Sequence, residues 1–251
     1  MDANTRHLQH LLQQVQQLPE VLLLKPITGS TNDDVKEIAS KGISSILVCS
    51  EQQTQGRGQH QRSWVSPEGN IYLSTLLHTT TPIDGRFALE IALNILQMPS
   101  LKGLNLQVKW PNDLYSPQGK WGGILIEPLN LHHVVVGVGL NLFPVNVELD
   151  QAATSLQQLG LAQPDRIQLI AELYLALHRA AQWFNHGCVN LTERFNHHAA
   201  FLNQMVDFEY LEHTLTGTFQ GIDADGAVIL QHTQEVKHYY QGRLKPRTTT
   251  V

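Results

Sequence analysis

Cysteine is nearly absent: Cys49 and Cys188 are the only two in 251 residues. Two thiols cannot make a disulfide framework, so a reducing compartment is the expected setting, with Cys49 buried in an apolar strand. An excess of positive charge is also missing. Lys and Arg number 17 against 22 Asp and Glu, a net charge of −5. This argues against broad DNA or RNA binding, though not against a local basic site. No apolar run approaches membrane-spanning length, and no charged segment followed by an apolar one opens the chain, so a cytoplasmic protein without membrane contact is expected. Thirteen histidines occur without HExxH or other metal-ligand spacing, and no zinc site is visible, so no metal ligands are assigned. A nucleophile elbow, a Walker loop and a dinucleotide fingerprint are all lacking.

What is present is 42% apolar residues, enough for a sizeable core in one large domain or two smaller ones. Residues 4–18 place Leu8, Leu11, Leu12, Val15 and Leu18 on one helical face, ended by Pro19. A strand at Val21–Leu24 precedes a helix running to about Ser40, capped by Ser30 or Thr31, with Asp33 and Asp34 in its first turn. Strands are read at Ile43–Cys49, from Asn70, and at 104–110, 121–127 and 133–143. The last is apolar on both faces and therefore central. PNDLYSPQGK reads as a turn-rich connection, and 144–164 as irregular. Helices are expected at 86–98, with a polar stripe of Glu90, Asn94 and Gln97, at 165–186, where Asp165 and Gln168 fit a capping box, and at Leu191–Asn203. From Val206 four short strands follow, with Asp225-Gly226 as a hairpin turn. The expected divisions are an N-terminal amphipathic helix (1–20), a central α+β domain (21–203) and a small C-terminal β-barrel (204–251).

Four polar clusters punctuate this framework. In QQTQGRGQHQRSW (52–64), Gly56 and Gly58 free the backbone to turn and present N–H groups, and Arg57 and Arg62 add planar cations suited to carboxylate or phosphate. The stretch reads equally as a solvated basic loop. KWPND (109–113) brings Lys109, Asn112 and Asp113 to a strand end, as a ligand site or as an Asn-Asp turn. In GKWGGILIE, Lys120 precedes Gly122 and Gly123, and glycine inside a strand marks close approach by a ligand or a bulge. In GVGLN, Asn141 ends the most apolar strand and needs partners if buried. Together the clusters supply cations and amides without a nucleophile, a profile suited to electrostatic work around phosphorus. Residue types and spacing reach only as far as a protein that binds a nucleotide or another anion.

The clusters, in this order, closely resemble the biotin–protein ligases: GSTN (29–32), the EQQTQGRGQHQRSW loop, KWPND, KWGGILIE and VGVGLN. The resemblance runs from about Leu22 to the C-terminus and includes GIDADGAVIL. It implies an α+β fold, with a mixed, largely antiparallel sheet flanked by helices, of the class II synthetase-like biotin/lipoate ligase type, followed by an SH3-like β-barrel. It also implies a reaction in two steps. Biotin and ATP, with Mg2+, give biotinyl-5′-AMP, and a lysine of the biotin carboxyl carrier protein of acetyl-CoA carboxylase then takes the biotinyl group. By the same resemblance Ser30, Thr31 and Gln53 hydrogen-bond the ureido ring, with Asn32 beside them. Gly56 and Arg57 approach biotin with backbone groups as the loop folds, with Gly58 and Gln59 beside them in the binding site. Arg62 faces phosphate, and Trp64 packs at the adenine side. Lys109, Asn112 and Asn141 serve the nucleotide. Lys120, beside Gly123, bridges the biotin carboxyl and the reacting phosphate, and Asp113 is the candidate base for the acceptor lysine.

Two departures from the family pattern stand out. Many relatives carry arginine where this chain has Gln59, which weakens retention of the adenylate unless Arg62 suffices. Fewer than thirty residues precede GSTN, whereas bifunctional relatives prepend a DNA-binding domain, so a monofunctional form that binds no DNA is expected. A lipoate or octanoate ligase of the same fold is the alternative enzyme, and a non-catalytic biotin sensor or repressor the alternative outside enzymes. Pairing of sheet edges in relatives makes a homodimer the expectation for assembly.

Overall fold

The computed structural model describes residues 2–145, 151–233 and 235–247. Its organising element is the valine-rich strand β7 (His133–Leu140), flanked on both sides in a seven-stranded sheet. The other strands are β1 (Val21–Thr28), β2 (Ile46–Gln53), β3 (Ile71–His78), β4 (Gln107–Lys109), β5 (Asp113–Ser116) and β6 (Gly119–Pro128). Their order is β1-β2-β3-β7-β6-β5-β4. The β1–β2 pair is parallel and every other neighbouring pair is antiparallel. Successive side chains on a strand face opposite ways. On β7, Val134, Val136, Val138 and Leu140 enter the main core, and Val135 joins a smaller cluster with Val35, Ile46, Val48 and Leu76 on the other face.

Helices α1 (Ala3–Gln14), α3 (Arg86–Leu96) and α4 (Arg166–Asn185) pack together on the main-core side, while α2 (Thr31–Ser40) covers the smaller cluster. The first helix stops short of Pro19. Leu8 and Leu12 are fully buried, but Val15 and Leu18 lie half-exposed beyond its end, where Gln16 takes a left-handed φ of 56°. Asp165 caps α4, accepting from the Ile167 and Gln168 N–H groups at 3.0 Å each. The expected capping box is only half made, because the Gln168 amide donates instead to Glu172. Two of the three residues of the polar stripe on α3 are drawn inward: Gln97 is exposed just past the helix end, but Asn94 is buried, and Glu90 is fully buried and held by Arg194 of α5 (Leu191–His198). That helix is shorter than its apolar pattern predicts.

The segment PNDLYSPQGK is not only a turn. Asp113–Ser116 pairs with both β4 and β6, so the turn-prone residues Pro111, Asn112, Pro117 and Gly119 bracket a strand rather than replace it. Among the described residues, the C-terminal region holds five strands where four are expected: β8 (Met205–Tyr210), β9 (His213–Ile222), β10 (Val228–Gln231), β11 (Val236–Tyr239) and β12 (Arg243–Pro246). They form a small antiparallel sheet in the order β11-β10-β9-β8-β12. The overlooked strand, Arg243–Pro246, carries two cations and a proline, poor strand signals in isolation, and is held by register with β8. The Asp225-Gly226 turn forms as expected, with Gly226 at φ 81°. The small sheet is joined to the large one through Trp110, whose indole Nε1 donates to the Gly226 carbonyl at 2.9 Å and whose ring lies 6.1 Å from that of Phe208.

One group in the core predicts a pH response. The Nε2 of His178 on α4 is buried without a hydrogen-bond partner, its ring edge-on to Tyr174 at 4.4 Å. Burial pushes its pKa down to about 4. Between about pH 6.5 and 4 the unfolded chain therefore binds a proton that the folded one refuses, so stability falls as pH falls through that window. The expected loss is about 3 kcal/mol across it. Thermal unfolding of His178→Leu should show a flatter pH dependence than the parent over the same range.

Candidate active site

The odd face of the central strands is where the cavity originates. On β7, Val135 packs under α2, and the next two positions on that face are Gly137 and Gly139. Gly123 of β6 stands opposite Gly139, and Tyr72 and Ser74 of β3 lie beside them. Side chains stop at these glycines, and a cavity of about 790 Å³ opens above them. The space is needed. A Cβ on Gly137 would fall 2.2 Å from the Asn32 Oδ1, and one on Gly139 would fall 2.7 Å from the Trp64 Nε1.

Most of the residues singled out in the sequence meet here. Ser30, Thr31, Asn32, Gln53, Arg57, Gly58, Gln59, Arg62 and Trp64 line the cavity, as do Asn112, Asp113, Lys120, Gly123 and Asn141. Two stand just behind. The Gly56 carbonyl accepts from the Trp64 N–H at 2.9 Å, and Lys109 reaches the cavity through Asp113 and Gln151.

One end is a set of neutral hydrogen-bonding groups. Ser30 precedes α2, but its hydroxyl makes no cap bond and lies in the cavity wall. The Gln53 Oε1 takes the place of a cap, accepting from the Thr31 N–H at 2.9 Å and lying 3.1 Å from its hydroxyl, while its amide nitrogen donates to Ser66. The Ser74 hydroxyl sits 2.7 Å from the Thr31 Oγ1 and 2.6 Å from the Asn32 Oδ1.

The other end is charged. Asp113 lies between Lys109 at 2.8 Å and Lys120 at 2.5 Å. Burial would raise its pKa, but the ammonium groups of Lys120 and Lys109 outweigh that and hold the carboxyl below its usual range. Burial and the neighbouring Lys120 lower the pKa of Lys109, against the pull of Asp113, since one carboxylate is shared between two cations. Lys109 also donates to Gln151. A base that already accepts from two ammonium groups is a poor acceptor for a third proton, so the geometry fits a role for Asp113 in placing the lysines better than one in general base catalysis. Lys120 is held by backbone bonds on both sides, its N–H to Ala152 and its carbonyl from Thr154, each 2.9 Å.

Trp64 links the two ends. Its indole lies against Gly123 and Gly139 with the Lys120 Nζ 5.0 Å from the ring centroid, and its Nε1 is buried without a partner. The basic loop is a folded flap: Gly58 N–H bonds to the Arg62 carbonyl at 2.7 Å, and Arg57 and Ser63 form a bridge. Its two cations differ. The Arg62 guanidinium is exposed at the cavity edge and pairs with no carboxylate among the described residues. Arg57 turns away, its fork on Asp33 at 2.7 and 2.5 Å and on Glu127 at 3.2 Å. Its charge is matched by these two carboxylates, so of the two cations read as suited to carboxylate or phosphate, Arg62 is the one left at the cavity edge. Asn112 likewise has a structural partner, donating to the Ile124 carbonyl at 2.6 Å, and the Asn141 amide donates to the Thr154 carbonyl.

Sequence reading passed over Gly137 and Gly139, although alternate glycines in a valine strand are the signal for an emptied face. It also missed the wall given by Glu209 and Arg243 of the small sheet and by Leu211 in the turn between β8 and β9, for which the sequence offers no local sign.

Two family models match the chain: the biotin/lipoate A/B protein ligase family over residues 25–141 and the biotin protein ligase C-terminal domain over residues 201–242. A biotin–(acetyl-CoA-carboxylase) ligase of Paracoccus denitrificans is 30% identical over 224 residues, covering 81% of this chain and 91% of that protein. The chain belongs to the biotin/lipoate A/B protein ligase family. Other relatives in this ligase family include a biotin–(acetyl-CoA-carboxylase) ligase of Mycobacterium tuberculosis, 37% identical over 169 residues, 63% of each protein. The bifunctional ligase/repressor BirA of Escherichia coli is 29% identical over 89% of this chain and 73% of its own length. The fold is that of a biotin protein ligase from Aquifex aeolicus in complex with biotin and ATP, with a TM-score of 0.77 at 22% identity, covering 90% of this chain and 98% of that one. Among the described residues, no helix is long and apolar enough to cross a membrane.

Proposed function

We propose that the chain is a biotin–protein ligase, with residues 21–203 as the catalytic unit and 204–251 as the C-terminal one. The observation that carries this is one cavity with neutral hydrogen-bonding groups at one end and Lys120 on Asp113 at the other, bridged by Trp64. A ureido ring offers one acceptor and two donors, and Ser30, Thr31 and Gln53 offer the complement. The acid tail of biotin then reaches Lys120. In the first step a carboxylate oxygen attacks the α-phosphorus of ATP, and the bond to pyrophosphate breaks. Lys120 and the exposed Arg62 offset the repulsion between the two anions. In the second step the amine of an acceptor lysine attacks the acyl carbon, the bond to AMP breaks, and the amine loses a proton. The folded flap excludes water from the mixed anhydride between the steps.

Magnesium does not find a protein cage here: no group of three metal-ligating side chains occurs among the described residues, and Asp113 is occupied by lysines. It would come with ATP as substrate and supply positive charge at the phosphates beside Lys120 and Arg62. The acceptor is the biotin carboxyl carrier of acetyl-CoA carboxylase, the protein acts in the cytoplasm without DNA, and it pairs as a homodimer. Purified protein with magnesium should exchange pyrophosphate into ATP only when biotin is added. No exchange, or equal exchange with lipoate or octanoate in its place, would refute the assignment.

A further inference from the structure

We propose that Asp33 and Glu127 are positioning residues that clasp the glycine loop over the cavity, acting through Arg57. The loop does little to hold itself. Its tip, Gln59–Gln61, is exposed, and two successive residues there, His60 at φ 54° and Gln61 at φ 59°, sit in the left-handed region that non-glycine residues disfavour. Its base is fixed by two internal backbone bonds, from Gly58 to Arg62 and from Trp64 to Gly56. Beyond the Gln55 N–H bond to the Gly29 carbonyl at 2.8 Å and the packing of Trp64 on Gly123 and Gly139, the external tie is the Arg57 guanidinium. It meets Asp33 through both terminal nitrogens and Glu127 through Nη2 at 3.2 Å, the fork geometry that makes arginine–carboxylate pairs directional.

Glu127 carries the clasp further. Its Oε2 accepts from the Asn32 amide at 2.6 Å, and its Oε1 lies 3.0 Å from the Lys36 ammonium. The first turns of α2, the far end of β6 and the loop thus form one polar unit, and α2 begins with the residues that line the neutral end of the cavity. Arg57 and Lys36 balance Asp33 and Glu127, so the clasp adds no net negative charge beside a site for anions. Arg57 keeps Asp33 below the usual carboxylate range. Burial would raise Glu127, but Asn32, Lys36 and Arg57 together hold it down. The arm to Glu127 is the better shielded, since its side chain is 23% exposed against 54% for Asp33.

The inference rests on the ligase reading only for its kinetic consequence. In the ligand-free protein, Glu127→Gln and Asp33→Asn should be cut by trypsin after Arg57 and Arg62 about five-fold faster than the parent, with cleavage elsewhere unchanged. In pyrophosphate exchange the same variants should raise the KM for biotin by about five-fold, with kcat within about two-fold. Asp33→Glu should recover both. Unchanged loop cleavage, an unchanged KM, or faster cleavage everywhere with a lowered thermal midpoint would overturn the proposal. Faster loop cleavage in the variants of a parent that shows no biotin-dependent exchange would leave the clasp standing and remove the ligase reading instead.

Discussion

Lys120→Ala is expected to lower biotin-dependent pyrophosphate exchange by about a thousand-fold, equivalent to about 4 kcal/mol of transition-state stabilisation. The lysine is placed for this by three independent features. Its backbone is bonded on both sides to residues 152–154, its ammonium group sits on Asp113 at 2.5 Å, and the Trp64 ring covers it at 5.0 Å. Reading Lys120 as a surface lysine with little packing predicts no cost to the fold. The structure adds one, because the alanine variant leaves the buried Asp113 with a single cation. A loss of stability on the order of 1 kcal/mol is therefore expected beside the catalytic loss, small enough for the variant to remain folded. Steady-state exchange kinetics together with a thermal melt check both parts. Activity within ten-fold of the parent would remove Lys120 from its assigned role.

Asp113→Asn separates two roles for that carboxylate. As a base for the acceptor lysine, Asp113 would matter only in the second step, and the asparagine variant would form adenylate normally while failing to transfer it. As the anchor of Lys109 and Lys120, it matters in both steps. The structure favours the anchor, so exchange and transfer should fall together. Removing the one carboxylate also leaves two ammonium groups side by side, with Lys109 only 2% exposed. Breaking such a buried arrangement costs about 3 kcal/mol or more. Urea unfolding alongside separate assays of the two steps gives the answer. Normal exchange with lost transfer would restore the base.

What could be read in advance follows from how local each signal is. The central place of β7 was legible because a valine run with no polar face has nowhere else to go. The cap at Asp165 and the turn at Gly226 were legible for the same reason, each being decided by a few adjacent residues. The parallel pairing of β1 with β2 was not, since register between separated strands leaves no mark on either. Nor was the β5 strand, where turn-forming residues on both sides mask four residues of ladder. At the site, residue types announced a collection of cations, and the cavity gathers them. Which cations remain available is a question of partners 24 and 70 positions away, and that is what sets Arg57 apart from Arg62. The glycines under the cavity were in view as a motif, but their meaning depends on the neighbours that a Cβ would strike.

The small sheet, with its β8–β9 turn, supplies Glu209, Leu211 and Arg243 to the cavity wall and takes the Trp110 indole against Gly226. The C-terminal forty-odd residues are thus part of the reaction vessel rather than an appendage to it. A chain ending near residue 200 would leave the activated intermediate facing bulk solvent on one side, so hydrolysis would compete with transfer even if every residue of the large sheet kept its place. Tolerance to sequence change in this region should accordingly be lopsided, generous on the outward surface of the five strands and narrow on the strip that meets the large sheet.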